Sequence, residues 1–357
     1  MADYQSQFTA GGSHQGASTG ATHDTVPGAL AGGLKSAIKG ENRPDPQFTA
    51  QSTVAQYETQ QPVSHRPDGH TYGVGEGPGV QSTTDVLEVL CGPLINYRRM
   101  SGAGGAQKTW YGSVLIVTKP GQSPPELRLR CVGPATNAEK GGYGGVGGES
   151  RFVGLKLYED RRKAFWKFPI EVPFQNFEAR WEYTIPRMSY QSPAGTHSGA
   201  SHTFVVSSLA QSFRILFHSC NGFSVGTDTE AWSGPALWND VLRHHEEQPF
   251  HVMIGGGDQI YNDGVRVDGP LKSWTVIGNP RKRREFPFNE ELRAQCDQYY
   301  FDNYVRWYST EPFKSANGQI PQINIWDDHD IIDGFGSYTD RFMRCPVFRG
   351  IGGVAHK

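Results

Sequence analysis

Three short apolar runs alternate with two helix-forming segments between Phe213 and Asp330, and that alternation constrains the fold more than any other feature of the chain. The runs are FRILFHSC (213–220), PFHVMIGGGD (249–258) and QINIWDDHD (322–330). FRILFHSC shows little alternation, as expected of a strand covered on both faces. Between the runs, GPALWNDVLRHHEEQ predicts a helix with Leu237, Val241 and His244 or His245 on one side. NEELRAQCDQYYFDNYVRWYS (289–309) predicts a long helix capped by Asn289. One side of it carries Leu292, Cys296, Tyr299 or Tyr300, Asn303, Tyr304 and Trp307. The order β-α-β-α-β implies a parallel sheet with right-handed crossovers.

In such a sheet the functional crevice lies beyond the carboxyl ends of the strands. The first run ends in Ser219-Cys220-Asn221. The second ends in Gly256-Gly257-Asp258, with Tyr261 three residues on. The third ends in Asp327-Asp328-His329-Asp330 behind Trp326, which is expected to be buried. Asp258 offers hard oxygen ligands able to bridge two cations, and Asp328 adds another. Cys220 as thiolate and Tyr261 as phenolate are softer anionic donors, suited to a trivalent or borderline metal. His329 can donate a proton or hydrogen bond to a phosphate oxygen. Two metals roughly 3.5–4 Å apart would activate a water and stabilise charge developing on phosphorus. Singly, each motif has a bland reading. GGGD is also a tight turn, DDHD also a solvated acidic loop, and a strand-end cysteine also a small core residue. Their order at three successive strand ends is the signal.

Upstream, residues 85–208 read as a β-sandwich. DVLEVLCGPLINY, TWYGSVLIVT and ELRLRCVG have strand composition. Trp166, Phe168, Ile170 and Val172 alternate with polar or proline positions, as do Trp181, Tyr183 and Ile185, the period of half-buried strands. HTFVVSS (202–208) is one more strand, and GGYGGVGG (141–148) a surface loop. Residues 1–80 are rich in Gly, Ser, Thr, Gln and Pro and are expected to be disordered. Leu30, Leu34 and Ile38 fall at helical spacing there, but Gly32 and Gly33 weaken any helix.

Composition narrows the classes. The formal net charge of -2 points to no polyanionic partner. The five cysteines are odd in number, far apart and without a CxxC pair. That argues against a disulfide framework and for a reducing, cytoplasmic compartment. No run of apolar residues is long enough to span a bilayer, which leaves peripheral membrane association open. Arg281-Lys282-Arg283-Arg284 could face a polyanion or a lipid headgroup, or only solvent; without interleaved aromatic residues it argues poorly for nucleic acid.

The strand-end residues resemble those of the metallophosphoesterases, and within them the PhoD-like phosphatases. That branch carries Ser-Cys, GDxxY and Trp-Asp-Asp-His-Glu at its strand ends; this sequence has Ser219-Cys220, GDQIY (257–261) and WDDHD (326–330). A β-sandwich ahead of the catalytic domain is similar too. The resemblance implies an N-terminal β-sandwich followed by the first half of a metallophosphoesterase α/β sandwich, over residues 210–357. It implies that Cys220, Asp258 and Tyr261 bind iron, that Asp258 and Asp328, with help from Asp327, bind calcium, and that His329 is catalytic and oriented by Asp330. Asn221 and Asn262, beside these, are the candidate substrate contacts. Residues 264–288 look like an insertion over the site. The family takes further ligands from a second half, whereas only His356 follows His329 here. The resemblance therefore implies a C-terminally truncated chain, weakly active or inactive, with an association-prone sheet edge. The expected function is hydrolysis of a phosphate ester by a metal-activated water. The alternative is a membrane- or partner-binding adaptor with a vestigial phosphatase half.

Overall fold

The computed structural model describes residues 86–357 apart from 103–107, 136–147, 193–194, 199–200, 224–227, 229–230 and 232–234. The expected disordered tail, the Leu30-Leu34-Ile38 segment and nearly all of the glycine run lie outside the described residues. The first part of the chain forms β1 (Leu87–Ser101), β2 (Thr109–Thr118), β3 (Glu126–Pro134), β4 (Ser150–Val153), β5 (Leu155–Glu159), β6 (Ala164–Pro173), β7 (Ala179–Thr184), β8 (Met188–Ser192), β9 (Gly195–Ser198) and β10 (His202–Val206). There follow β11 (Ile215–His218), α1 (Ala236–Glu247), β12 (Val252–Gly255), four helices α2 (Gly264–Val267), α3 (Lys272–Thr275), α4 (Pro280–Arg284) and α5 (Glu290–Tyr308), then α6 (Phe313–Gln319), β13 (Gln322–Asn324), α7 (Asp340–Met343) and α8 (Pro346–Ala355).

The period-two segments fold as their pattern dictates. Along β6 the buried positions are Ala164, Trp166, Phe168, Ile170 and Val172. Along β7 they are Ala179, Trp181 and Tyr183. These side chains join Ile95, Trp110, Leu127, Leu129 and Phe204 in one core between a nine-stranded and a four-stranded sheet. Each fully buried large side chain of this kind contributes about 1.5–3 kcal/mol of transfer free energy.

The nine-stranded sheet runs β11-β12-β13-β1-β2-β6-β5, with β8 and β9 attached beside β1. β11, β12 and β13 are mutually parallel, and β13 pairs in parallel with β1 at Asn96 and Gln322. No boundary therefore divides the sheet near residue 210. The antiparallel strands of the first part and the parallel strands that carry the site are one sheet within one compact unit.

Several expectations are corrected. The three parallel strands span only four, four and three residues. β11 is the edge of the sheet and is covered on one face alone. Leu216 packs with Trp238, Val241, Leu242 and Met253 under α1, while Ile215 is 54 % and Phe217 65 % exposed. An apolar run records what a strand can bury, not whether a neighbour arrives. Leu237 is 82 % exposed, and His245 is the buried member of its helix. Trp326 is exposed, its ring against His356. Within residues 264–288, Val265, Leu271 and Trp274 enter a second core with α5 and α8. The Asn289 cap is present: its side chain accepts from Leu292 N at 2.9 Å. All five cysteines are unpaired.

A buried polar cluster ties the turn before β7 to the start of β11. The Glu178 carboxylate accepts from Arg214, from His251 Nε2 at 2.6 Å and from Gln211 at 3.2 Å. Arg214 N donates to His251 Nδ1, so the proton of the neutral ring sits on Nε2 and points at Glu178. Burial alone would raise the Glu178 pKa, but His251 and the Arg214 charge outweigh it and hold the pKa below the ordinary value. A depressed carboxylate contributes stability that is present above its ordinary pKa and lost as pH falls through the folded value. Glu178→Gln is expected to cost roughly 3 kcal/mol at neutral pH, the scale for breaking a buried charged pair. Urea midpoints at pH 7 and pH 4 check it: the gap between variant and wild type should narrow at the lower pH.

Candidate metal centre

The loops that leave β11, β12 and β13 meet at one edge of the parallel sheet. Backbone hydrogen bonds join the first two: Gly256 N donates to His218 O at 2.7 Å, Cys220 N to Gly257 O at 3.1 Å, and Asn221 N to Asp258 O at 2.8 Å. Cys220 and Asp258 both have φ of 53°. A non-glycine residue in the left-handed region is uncommon, and a pair of them at adjoining strand ends marks backbone bent to aim side chains. Gly257, with φ of 110°, makes the turn that precedes Asp258. A Cβ there would stand 2.5 Å from Asp327 Cβ.

The reactive groups converge as follows. Ligand atoms of Asp258, Asp328 and His329 lie within 4.8 Å of one another. Cys220 Sγ is 3.5 Å from Asp258 Oδ2. The Tyr261 ring lies 4.7 Å from the His329 ring and close over Gly222, where a Cβ would meet it at 2.6 Å. Burial raises the Asp258 pKa, and the carboxylates of Asp328 and Asp327 raise it further against the pull of His329. Burial, followed by the charge of Asp258, pushes the Tyr261 phenol well up. Burial is the first cause of both shifts and neighbouring anions add to it, and a cation would oppose both. Asp258, Asp328 and His329 form a group whose ligand atoms could hold a metal ion, and the Cys220 thiol lies beside Asp258.

Asp327 stands outside the convergent trio. It is exposed, and its Oδ1 accepts from the Asp328 backbone N at 2.8 Å. Asp330 does not orient His329. Its buried carboxylate accepts from Asp258 N at 2.8 Å, Asp327 N at 2.9 Å and Ile260 N at 3.2 Å, and so pins two of the loops together. Asn262 is buried and Asn221 half-buried, and both side chains bond within the protein. Asn221 accepts from Trp238 Nε1 at 2.7 Å and donates to Gln259 O. Asn262, fully buried, donates to Asp330 O and accepts from Asn303, both at 2.7 Å.

The residue that sequence reasoning missed is Asp263. Its Oδ2 lies 2.5 Å from His329 Nδ1, and its Oδ1 accepts from Asp333 N at 2.9 Å and from Arg266. Burial would lower the His329 pKa, but the hydrogen bond and charge of Asp263 outweigh it and carry the value to about 9. A raised histidine contributes stability that is complete below its ordinary pKa of 6.5 and is lost as pH rises through about 9. Asp263→Asn is expected to return the His329 titration toward its ordinary value. Imidazole chemical shifts followed from pH 5 to 10 check this; an unmoved midpoint would remove Asp263 from the role.

The Asp258, Asp328 and His329 cluster thus sits at the carboxyl ends of the parallel strands β12 and β13. Residues 175–357, just over half of the chain, match the family described as PhoD related phosphatase. The chain belongs to that family. It is 32 % identical over 288 residues to an uncharacterised Saccharomyces cerevisiae protein, a match covering 75 % of this chain and 39 % of the yeast protein. It is also similar to a solved structure of PhoD, at 11 % identity with a TM-score of 0.34, covering 78 % of this chain and 46 % of that one. The chain thus spans about two fifths of the yeast relative and less than half of PhoD. Among the described residues no helix is long and apolar enough to cross a membrane.

Proposed function

We propose that this protein hydrolyses phosphoric esters with the help of bound metal, and that its reaction centre is the cluster of Asp258, Asp328 and His329. The convergence of their ligand atoms at the ends of β12 and β13 carries the reading, and the match to a phosphatase-related family favours it over the adaptor. Asp258 and Asp328 are hard oxygen donors fit for calcium, while Cys220 and Tyr261 beside Asp258 favour iron in an adjoining position. When bound, such cations neutralise the phosphate and lower the pKa of the attacking water.

The residues of the chain perform the remaining tasks. Asp263 fixes the His329 ring through Nδ1 and keeps it protonated at neutral pH. His329 Nε2 makes no hydrogen bond to a described residue and is the atom that would deliver its proton to the leaving oxygen. The ester P–O bond breaks, the water oxygen joins phosphorus, and the leaving alcohol departs neutral. Asp330 keeps Asp258 and Asp327 in register throughout.

The test is hydrolysis of p-nitrophenyl phosphate and bis(p-nitrophenyl) phosphate by protein whose iron and calcium are measured by elemental analysis. Turnover that follows metal content and disappears with a chelator is the expected result. Metal-loaded protein that releases no nitrophenol from either ester would sink the proposal.

A further inference from the structure

The basic run Arg281-Lys282-Arg283-Arg284, which no step of the proposed hydrolysis uses, forms the helix α4 behind its Asn279 cap. It is one part of a larger concentration of positive charge. Residues 272–288 hold five Lys and Arg against Glu285 alone, and residues 340–349 hold three Arg against Asp340 alone. Together the two segments carry a formal charge of +6 on a chain whose net charge is -2.

The second core brings these segments together. Trp274 of α3 meets Phe342 of α7 at 6.2 Å and Phe348 of α8 at 5.8 Å between ring centroids. The Phe288 ring lies against Gly350, where a Cβ would stand 2.2 Å from it. Burial raises the Cys345 thiol pKa, and Arg284 is near enough for its charge to pull against that rise.

Some of the cations are engaged within the protein. Lys272 pairs with Asp268, and Arg344 with Asp340. Arg283 turns inward: its Nε donates to Ile277 O at 2.9 Å and its Nη2 to Thr275 O at 3.0 Å. Those bonds fold α4 back on the turn that carries Val276, a side chain 74 % exposed. Arg281, Lys282, Arg341 and Arg349 are exposed and make no ion pair among the described residues. Like charges gathered this way repel one another, and an anionic partner turns that repulsion into attraction.

Two features select the partner. Single-stranded nucleic acid is gripped by aromatic faces interleaved with cations, whereas Trp274, Phe342 and Phe348 are buried here. An exposed aliphatic side chain held beside cations instead suits the boundary between lipid headgroups and acyl chains.

We propose that this face docks on a bilayer surface rich in anionic phospholipid, with Arg281, Lys282, Arg341 and Arg349 on the headgroups and Val276 between them. Docking of this kind is independent of the hydrolysis proposed above.

Co-sedimentation of the whole chain with phosphatidylcholine vesicles, with and without about 30 % phosphatidylserine, tests the proposal. The expected result is binding to the anionic vesicles alone, weakening as salt rises from about 0.1 M to about 0.5 M. Arg281→Gln combined with Lys282→Gln should lower the affinity about thirtyfold, at roughly fivefold for each cation near an anionic surface. Arg341→Gln combined with Arg349→Gln serves if the first pair fails to fold by circular dichroism. Val276→Ser should weaken binding at both salt concentrations. Arg130→Gln combined with Arg151→Gln, on the four-stranded sheet, should leave it unchanged. The proposal is overturned by equal binding to neutral and anionic vesicles, by undiminished binding in a folded α4 pair or in Val276→Ser, or by an equal loss in the pair on the four-stranded sheet. Capture by polyuridylate with none by the anionic vesicles would also overturn it, as would binding to neither.

Discussion

Asp258→Asn is expected to remove phosphoester hydrolysis by a factor on the order of 10³ or more, the scale for losing a group that stabilises charge in the transition state. The carboxylate stands at the crossing of the site. Its Oδ2 is 3.5 Å from Cys220 Sγ, and its Oδ1 is 3.3 Å from the backbone N of His329. Asparagine has the same shape and tolerates the positive φ of this position, so the substitution isolates the charge. Elemental analysis should show iron and calcium falling together with kcat/KM. Stability should move the other way. Burial and the neighbouring carboxylates raise the Asp258 pKa, so its ionised form costs stability in metal-free protein at neutral pH, and the neutral amide removes that cost. A metal-free melting temperature equal to or above that of wild type, with activity lost, is the expected pair of results. Retention of metal and of activity within about tenfold would show that this cluster is not the reaction centre.

What the sequence made legible depended on whether the signal was local. The alternation from Trp166 to Val172 needs only a period of two, and all four residues are buried as read. Asn289 is a cap because its own side chain can reach Leu292 N within one turn. The parallel order of β11, β12 and β13 follows from runs broken by helices, and the residues at their ends do gather. Non-local facts were not legible. Nothing within β1 announces that it continues the parallel sheet, because the pairing of Asn96 with Gln322 exists only after the intervening chain has folded. The exposure of Ile215 and Phe217 on β11 is likewise non-local, because an apolar run does not say what packs on each face of its strand.

The histidine's partner illustrates the same limit. Adjacency made Asp330 the natural candidate to orient His329, yet that carboxylate turns inward to backbone N–H groups. Asp263 is 66 residues upstream of His329, in a loop whose position depends on Asn262 reaching Asp330 O and on Asn303 reaching Asn262. Only the spacing of Asp263 and Arg266 was local; their burial was not. Asp263 precedes Arg266 by three residues at the start of a helix, and both are buried, which an idle surface pair would not require. Asn262, read as a substrate contact, is a strut of this arrangement, a role that residue type alone does not distinguish from ligand binding.

Asp330→Ala is accordingly expected to be among the most destabilising single substitutions in the chain. The carboxylate is buried and satisfies three N–H groups from two loops, those of Asp258, Ile260 and Asp327. Deleting it leaves those donors without a partner, and each unsatisfied buried group costs about 1–3 kcal/mol. The sum is about 5 kcal/mol when the donors stay buried, a size that few substitutions reach. Partial entry of water would lower the figure and loosen both loops instead. Asp330→Asn keeps the volume but turns an N–H2 toward donors at one of the two oxygen positions, so it should recover only part of the loss. Equilibrium urea unfolding of wild type and both variants measures the order, with alanine expected lowest and asparagine between. Amide hydrogen exchange localises the effect: protection should fall first at Asp258, Ile260 and Asp327, while β2 and β6 stay protected. Were Asp330 only a catalytic carboxylate, both variants would unfold at the wild-type urea midpoint, and the loops would owe their positions to something other than this side chain.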